Sequence, residues 1–470
     1  MFAFDVALGR VDAGEGQIAV FSNGNDHAPQ PMIAYALRER GPSPFPAWMS
    51  DDCDHHGGAA LGDIDGSGGD ALLVSVMCDR VGRTQPDLVG VKLYPNIAGV
   101  LSATSIPFPI EDRGPAHDLE LADLNGDGLL DLVVLWGPGP SLSSARARVC
   151  IYQNPGGPGP WRRFELALPP GMSAPSRVEC ADMTGNGWLD LVLACDRPLV
   201  LYGSIGGDLS LFGREHWRGT ITTQWPAGIS VAPRFDATTG AAPPVRGRGP
   251  AMLLATTRHS LSSDGEARSE VVVYDYPRST PIARRAAPPL PSALRLVDLR
   301  GSGHPGVIVG GIGMTDEPAS AMGACRDLAG LHTTPMLYYP GGPEGLARSP
   351  SWTSERPMAA QAQALYNYAH GAEKVVAYRF PHPASALTLP TVPIADSVQV
   401  RIDGRGPCRF HCAPDRTWLT LRSPAPAGAL IELRYRAAAR SDLLVADADP
   451  RVGNGYFRSH QHQHQHQHQH

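Results

Sequence analysis

Nine residues carry the clearest chemistry in the chain: Asp123-Leu-Asn125-Gly-Asp127-Gly128-Leu-Leu-Asp131. Carboxylates at positions 1, 5 and 9, with a side-chain amide at position 3, can wrap one hard cation. Gly128 lets the chain turn sharply enough for them to converge. Ca²⁺ takes about six to eight oxygens of this carboxylate and carbonyl kind. An EF-hand loop begins in the same way, but it has flanking helices and a Glu at position 12. Here position 12 is Val134, and the flanks Leu119-Glu-Leu-Ala and Asp131-Leu-Val-Val-Leu read as strands. The expectation is a calcium loop set in a β-hairpin.

The loop recurs. Asp182-Met-Thr184-Gly-Asn186-Gly187-Trp-Leu-Asp190 repeats the pattern, and Asp63-Ile-Asp65-Gly-Ser67-Gly68-Gly-Asp70 repeats it with one residue fewer before the last Asp. Asp298-Leu-Arg300-Gly-Ser302-Gly303 keeps the turn and loses most ligands. The starts are 60, 59 and 116 residues apart, and the last spacing is two periods of 58. Degenerate copies fit near Asp12 and Asp236. A fixed period of this size marks a solenoid, an array or a propeller. Expected metal ligands are therefore Asp63, Asp65, Ser67 and Asp70; Asp123, Asn125, Asp127 and Asp131; and Asp182, Thr184, Asn186 and Asp190.

These loops resemble the FG-GAP/VCBS repeats of integrin-α-like β-propellers. The resemblance implies an all-β propeller with structural Ca²⁺ at two or three of the hairpins. It does not imply one function, because the family includes adhesion modules and enzymes. Four strands per unit are expected, the third often carrying a Tyr, as in Val91-Lys-Leu-Tyr94 and Val149-Cys-Ile-Tyr152. Counting units gives seven blades, with six and eight as alternatives. Residues 1–380 form the blades, and 381–457 add C-terminal β-strands that complete the last blade or form a small appendage. The alternating His and Gln of 458–470 read as an affinity tag.

Composition narrows the partners. The net charge is −6, and Lys92 and Lys374 are the only lysines, which argues against nucleic acid. No apolar run approaches the roughly 20 residues needed to span a bilayer. The first residues lack the charged region of a secretory leader, which fits a cytoplasmic protein or one whose leader has been removed. The eight cysteines include no C-x-x-C pair; buried free thiols are expected of Cys150, Cys180 and Cys195. Cys408-Arg-Phe-His411-Cys412 lacks the second pair of ligands that a zinc site requires.

If the calcium loops mark one face, the opposite face receives the leads into each first strand. Asp51-Asp52-Cys53-Asp54-His55-His56 and Ala116-His117-Asp118 would bring His55, His56 and His117 towards the axis. Histidine beside carboxylate suits proton transfer or a further divalent metal. Arg80 and Arg197 would clamp an anion, and a long loop from Gly311 to Pro335 would add Asp316, Glu317, Arg326, Asp327 and His332. Propellers similar to this one include aldos-2-ulose dehydratase and polysaccharide lyases. The reading is thus a lyase or dehydratase acting on a carbohydrate or similar small polar molecule, with His55, His56, His117, Arg80, Arg197 and His332 in the site. The alternative is a non-catalytic glycan- or protein-binding propeller.

Overall fold

Short apolar runs punctuated by Gly and Pro produce sheets. In the computed structural model, residues 3–457 are described except 13–15, 24–29, 39–40, 79–88, 138–146, 171, 173, 204–205, 213, 224–227, 235–249, 262–266, 300–301, 312–333, 356–359 and 448–454. Their regular structure is antiparallel β, with two one-turn 3-10 segments at Leu209–Leu211 and Ala395–Ser397. Among the described residues, no helix is long and apolar enough to cross a membrane.

Six sheets follow one another up to Thr353, each with three strands paired in chain order and a further outer strand beyond them. Their first strands are Ala3–Gly9, His55–Gly62, Ala116–Ala122, Arg177–Ala181, Ile229–Arg234 and Pro291–Val297. The second strands lack the polar-out alternation of a half-solvated sheet because both faces are covered. In Asp131–Trp136 every residue is buried. Leu132, Val134 and Trp136 share a core with Leu73 and Val91 of the second sheet, while Val133 and Leu135 share one with Leu191 and Leu193 of the fourth. Each such side chain contributes about 1.5–3 kcal/mol on burial, so a charge on either face of this strand would be costly.

Each first strand packs against the first strand of the next sheet, from Ala3–Gly9 through to Pro291–Val297. The long strand Ala360–Tyr378 then touches both Pro291–Val297 and Ala3–Gly9. It pairs along its length with Ile431–Asp447. The early part of this hairpin packs between sheets: Ala364 and Leu444 meet Val6 and Leu8, while Leu443 and Val445 meet Ala293 and Ile308.

The far part of the same hairpin leaves this arrangement. Gln399–Ile402 adds to it, and Ala384–Thr388, Phe410–His411 and Trp418–Ala425 form a second small sheet over it. Tyr378, Leu387, Val400, Leu419 and Leu433 fill the space between. One end of the hairpin thus lies among the repeated sheets, and the other carries an apolar core of its own.

Candidate functional site

The calcium-type loops share one backbone scaffold. In 123–131, Asp123 accepts from the N–H groups of Gly126 (2.7 Å) and Gly128 (2.9 Å). Asn125 accepts from Asp127, and Asp127 from Leu129, each at 2.9 Å. Gly128 has φ +85°, in the left-handed region that glycine tolerates. The bond from position 6 back to the first Asp recurs at Gly187–Asp182 (2.8 Å) and at Gly303–Asp298 (2.6 Å). The degenerate copy therefore keeps the turn after losing the ligands. The closing Asp131 and Asp190 are fully buried. Burial, reinforced by neighbouring carboxylates, pushes Asp123 up to about 7 and Asp182 up to about 8. The donor set fits a hard cation. It is rich in carboxylates, and Asp63 Oδ1 is buried with no hydrogen-bond partner.

Among the described residues, a tighter set of potential ligands lies elsewhere: Asp52, Asp54 and His56 bring ligand atoms within 4.8 Å of one another. Between Asp52 and Asp54, however, stands the Lys92 ammonium, 2.6 Å from Asp52 Oδ2 and also bonded to Asp54. Asp52 Oδ1 accepts from Tyr94 Oη at 2.6 Å and lies 3.5 Å from His56 Nε2. Although burial opposes it, His56, Lys92 and Tyr94 hold the Asp52 carboxyl well below the usual range. The cation position of this set is filled by the protein's own lysine.

The Tyr94–Asp52 contact belongs to a repeated device. In the third sheet, Tyr152 Oη donates to Asp112 at 2.6 Å, and Arg148 NH1 joins at 2.7 Å. In the fifth, Tyr274 Oη accepts from the Ile221 N–H at 3.3 Å; in the sixth, Tyr339 Oη donates to the Ala286 carbonyl at 2.9 Å. In the first three the tyrosine of the third strand latches the segment that leads into its own sheet, whereas Tyr339 bonds the last residue of the fifth sheet's outer strand. The recurrent Tyr of the sequence has this structural explanation.

The three histidines take different environments. His56 is fully buried, its Nδ1 2.7 Å from the Asn23 carbonyl. His55 is partly exposed at the start of its strand. His117 is pushed down to about 3 by burial, with Arg177 and His55 adding to the effect. Arg197 follows the second strand of the fourth sheet. Arg80 and His332, with Asp316, Glu317, Arg326 and Asp327, lie outside the described residues. His411 turns Nε2 to the Gly128 carbonyl at 2.7 Å. Cys150, Cys180, Cys195, Cys408 and Cys412 are free thiols, the first three buried.

Sequence reasoning missed the densest charge cluster. A cavity of about 140 Å³ lies among the first strands, lined by Asp5, Asp118, Glu120, Arg177, Glu179 and Arg295. Arg416, from the turn before Trp418–Ala425, enters it. Its guanidinium grips both oxygens of Glu120 at 2.8 Å and lies 3.4 Å from Glu179. Asp415 beside it accepts from Arg295 at 2.8 Å. Burial pushes Glu120 up to about 8 against the pull of Arg416. In the other direction along the same strand, Asp118 lies 3.5 Å from Arg177 and accepts the Val178 N–H at 3.0 Å. Burial, with Asp5 adding, pushes Asp118 up to about 7 against Arg177.

Glycines make room for this packing. A side chain on Gly58 would strike Asp118 Oδ1, and one on Gly57 the His117 carbonyl. The pair His56-Gly57-Gly58 was therefore a signal of close approach, but the sequence shows no partner for it. Glu120 and Glu179 each occupy the middle of an apolar strand, which was the available sign that they face something other than a core.

Residues 123–193 match the model of an FG-GAP-like repeat, a span that begins at Asp123 and takes in the loop ending at Asp190. No curated protein matches the chain significantly.

Proposed function

We propose that this FG-GAP-like repeat protein is a seven-bladed, calcium-stabilised β-propeller that serves as a binding module for a small polar or carbohydrate ligand. The cyclic succession of first strands, with Ala360–Tyr378 beside both the first and the sixth, supports the seven blades. Ca²⁺ would be held by the loops at 63–70, 123–131 and 182–190, where it would neutralise buried carboxylates and fix the hairpins.

One observation carries the binding reading. Arg416 fills one part of the axial cavity and consumes Glu120, while Asp5, Asp118 and Arg177 further along are not fully matched in charge. Two carboxyl groups there face one guanidinium, and Asp5 and Arg177 keep 20% and 14% of their side chains exposed. Paired hydrogen-bond acceptors beside a planar donor fork suit the hydroxyls and acid groups of a sugar.

The test is calorimetric titration of neutral saccharides and uronates against the protein, Asp118→Asn and Arg177→Ala. Saturable binding that weakens at least roughly tenfold in Arg177→Ala, about one lost charge-assisted bond, is the expected result. Binding that is unchanged in both variants would remove the axial site from consideration.

A second reading, lyase or dehydratase chemistry at the same place, draws on Asp118. A carboxyl that titrates near neutrality is poised as a general acid or base. Formation of an unsaturated sugar product by the parent protein, absent in Asp118→Asn while binding persists, distinguishes catalysis from binding alone.

A further inference from the structure

The fifth sheet carries an opposite charge from the rest of the chain. Arg258, Glu270 and Ala286 stand directly opposite one another on three neighbouring strands, so they share one face. Arg268 and Arg284 lie two residues along from Glu270 and Ala286, which puts them on that face as well. These residues line a cleft of about 500 Å³, with Ala286, Ala287 and Pro289 as its apolar wall. Among the described lining residues, Glu270 is the one carboxylate. Its Oε1 accepts from Arg258 NH1 at 2.6 Å and lies 3.8 Å from Arg284 NH1. Arg285 is differently employed, donating to the carbonyls of Leu346 and Ala347. Among the described residues, Arg258 and Arg284 therefore share one carboxylate on this face, in a chain whose net charge is −6.

We propose that this cleft binds a small organic oxyanion, a carboxylate or phosphate ester, through Arg258 and Arg284. A guanidinium fork matches either group bidentately, and the apolar wall would contact the carbon skeleton. The site is separate from the axial one and does not depend on it. The probes are inorganic phosphate, glucuronate and glucose 6-phosphate, titrated at low ionic strength. The expected result is saturable binding of at least one probe that weakens roughly tenfold in Arg284→Gln, whose parent side chain is 47% exposed. Tighter binding of glucose 6-phosphate than of inorganic phosphate assigns the ligand to phosphate esters; tightest binding of glucuronate assigns it to carboxylates. No saturable binding of any probe, or binding unchanged in Arg284→Gln and in Arg258→Gln, overturns the proposal.

A different observation carries a second inference, which rests on the calcium reading above. All three full or near-full calcium-type loops touch the C-terminal strands. Arg422 NH2 lies 3.6 Å from Asp63, and His411 Nε2 bonds the Gly128 carbonyl. The Gly187 carbonyl accepts from Ser385 (2.8 Å) and Ala386 (2.7 Å), and Trp188 Nε1 donates to the Pro383 carbonyl at 2.9 Å. We infer that ion binding in the loops and docking of Ala384–Ala425 are thermodynamically linked, so that each strengthens the other by the same factor. Hydrogen exchange of the amides in Ala384–Thr388 and Trp418–Ala425, with metal content measured in parallel, tests this. Faster exchange on chelation, and weaker calcium binding in His411→Ala, are expected. Loss of calcium with unchanged exchange overturns the linkage alone; a protein that never binds calcium overturns both the linkage and the reading beneath it.

Discussion

The two parts of the cavity among the first strands use the same residue types differently. Around Arg416, every close partner is charged and geometrically fixed: Glu120 on both oxygens, Glu179 behind it, Asp415 held by Arg295. Around Asp118, the guanidinium of Arg177 stands 3.5 Å away and must also serve Asp5 at 4.0 Å. Charge held by short contacts of 2.8 to 3.4 Å holds a structure together. Charge whose partners stand 3.5 to 4.0 Å away is where a ligand, a proton or a solvent molecule has something to do. The comparison separates a structural keystone from a candidate site within one strand, since Asp118 and Glu120 are two residues apart.

The comparison breaks most easily at its matched part. Arg416→Ala leaves Glu120 and Glu179 buried without their cation, and the loss of one partner from a buried pair costs about 3–5 kcal/mol. Urea denaturation should show this as a lowered midpoint. Replacing Arg416 by Met together with Glu120→Gln should recover much of the loss, because it removes both charges rather than one. A midpoint unchanged in Arg416→Ala would mean that the turn does not enter the cavity in solution.

Calcium comes next. At a free concentration of about 100 times the dissociation constant, a bound ion stabilises the native state by about 2.7 kcal/mol. EDTA should lower the melting temperature, and Asp131→Ala should remove one ion from the metal content while Asp298→Ala removes none. The same melting curve with and without EDTA would contradict a structural role for the loops.

The latches should cost less. Tyr152→Phe deprives Asp112 of one donor but leaves Arg148 and Arg163, at 2.7 and 2.8 Å. A bond to a charged group is worth about 1.5–3 kcal/mol, and the remaining arginines should keep the loss near the lower figure. Tyr339→Phe removes a neutral bond to the Ala286 carbonyl and should cost about 1 kcal/mol. Equal losses at the two positions would show that the aspartate adds nothing to the latch.

How far the sequence reached follows from what is local. The calcium-type loops were legible because ligand spacing, turn glycine and following strand all lie within about a dozen residues. The third-strand Tyr was visible as a repeat, but its partner Asp112 lies 40 residues away, so its role was not. Arg416 and Glu120 are separated by 296 residues, and no local pattern joins them. His56 looked like chemistry because it stood in a polar run. Its burial against Asn23 comes from the second strand of the preceding sheet, which no local pattern encodes.

The smallest effect tests the unmatched part directly, through pH. Asp118 titrates at 3.8 in a model peptide and at about 7 in the fold, facing Asp5, Arg177 and Glu120. The folded chain therefore holds this proton over a range in which the unfolded chain has lost it. The contribution is full below 3.8 and is lost as pH rises through about 7. His117 runs the other way. Its ordinary value of 6.5 falls to about 3, so its contribution is full above 6.5 and is lost as pH falls through about 3. Over the interval they share, the two slopes oppose. Between 6.5 and about 7 the His117 slope is gone, and Asp118 adds to the downward slope that Glu120, Asp123 and Asp182 also carry; half a pH unit corresponds to at most about 0.7 kcal/mol for Asp118 alone. Unfolding free energies across this range should fall more steeply in the parent protein than in Asp118→Asn. In His117→Gln the fall should begin at lower pH, because the opposing slope is gone. A parent and an Asp118→Asn profile that run parallel would place the Asp118 proton at its ordinary value and leave the axial site without its poised carboxyl.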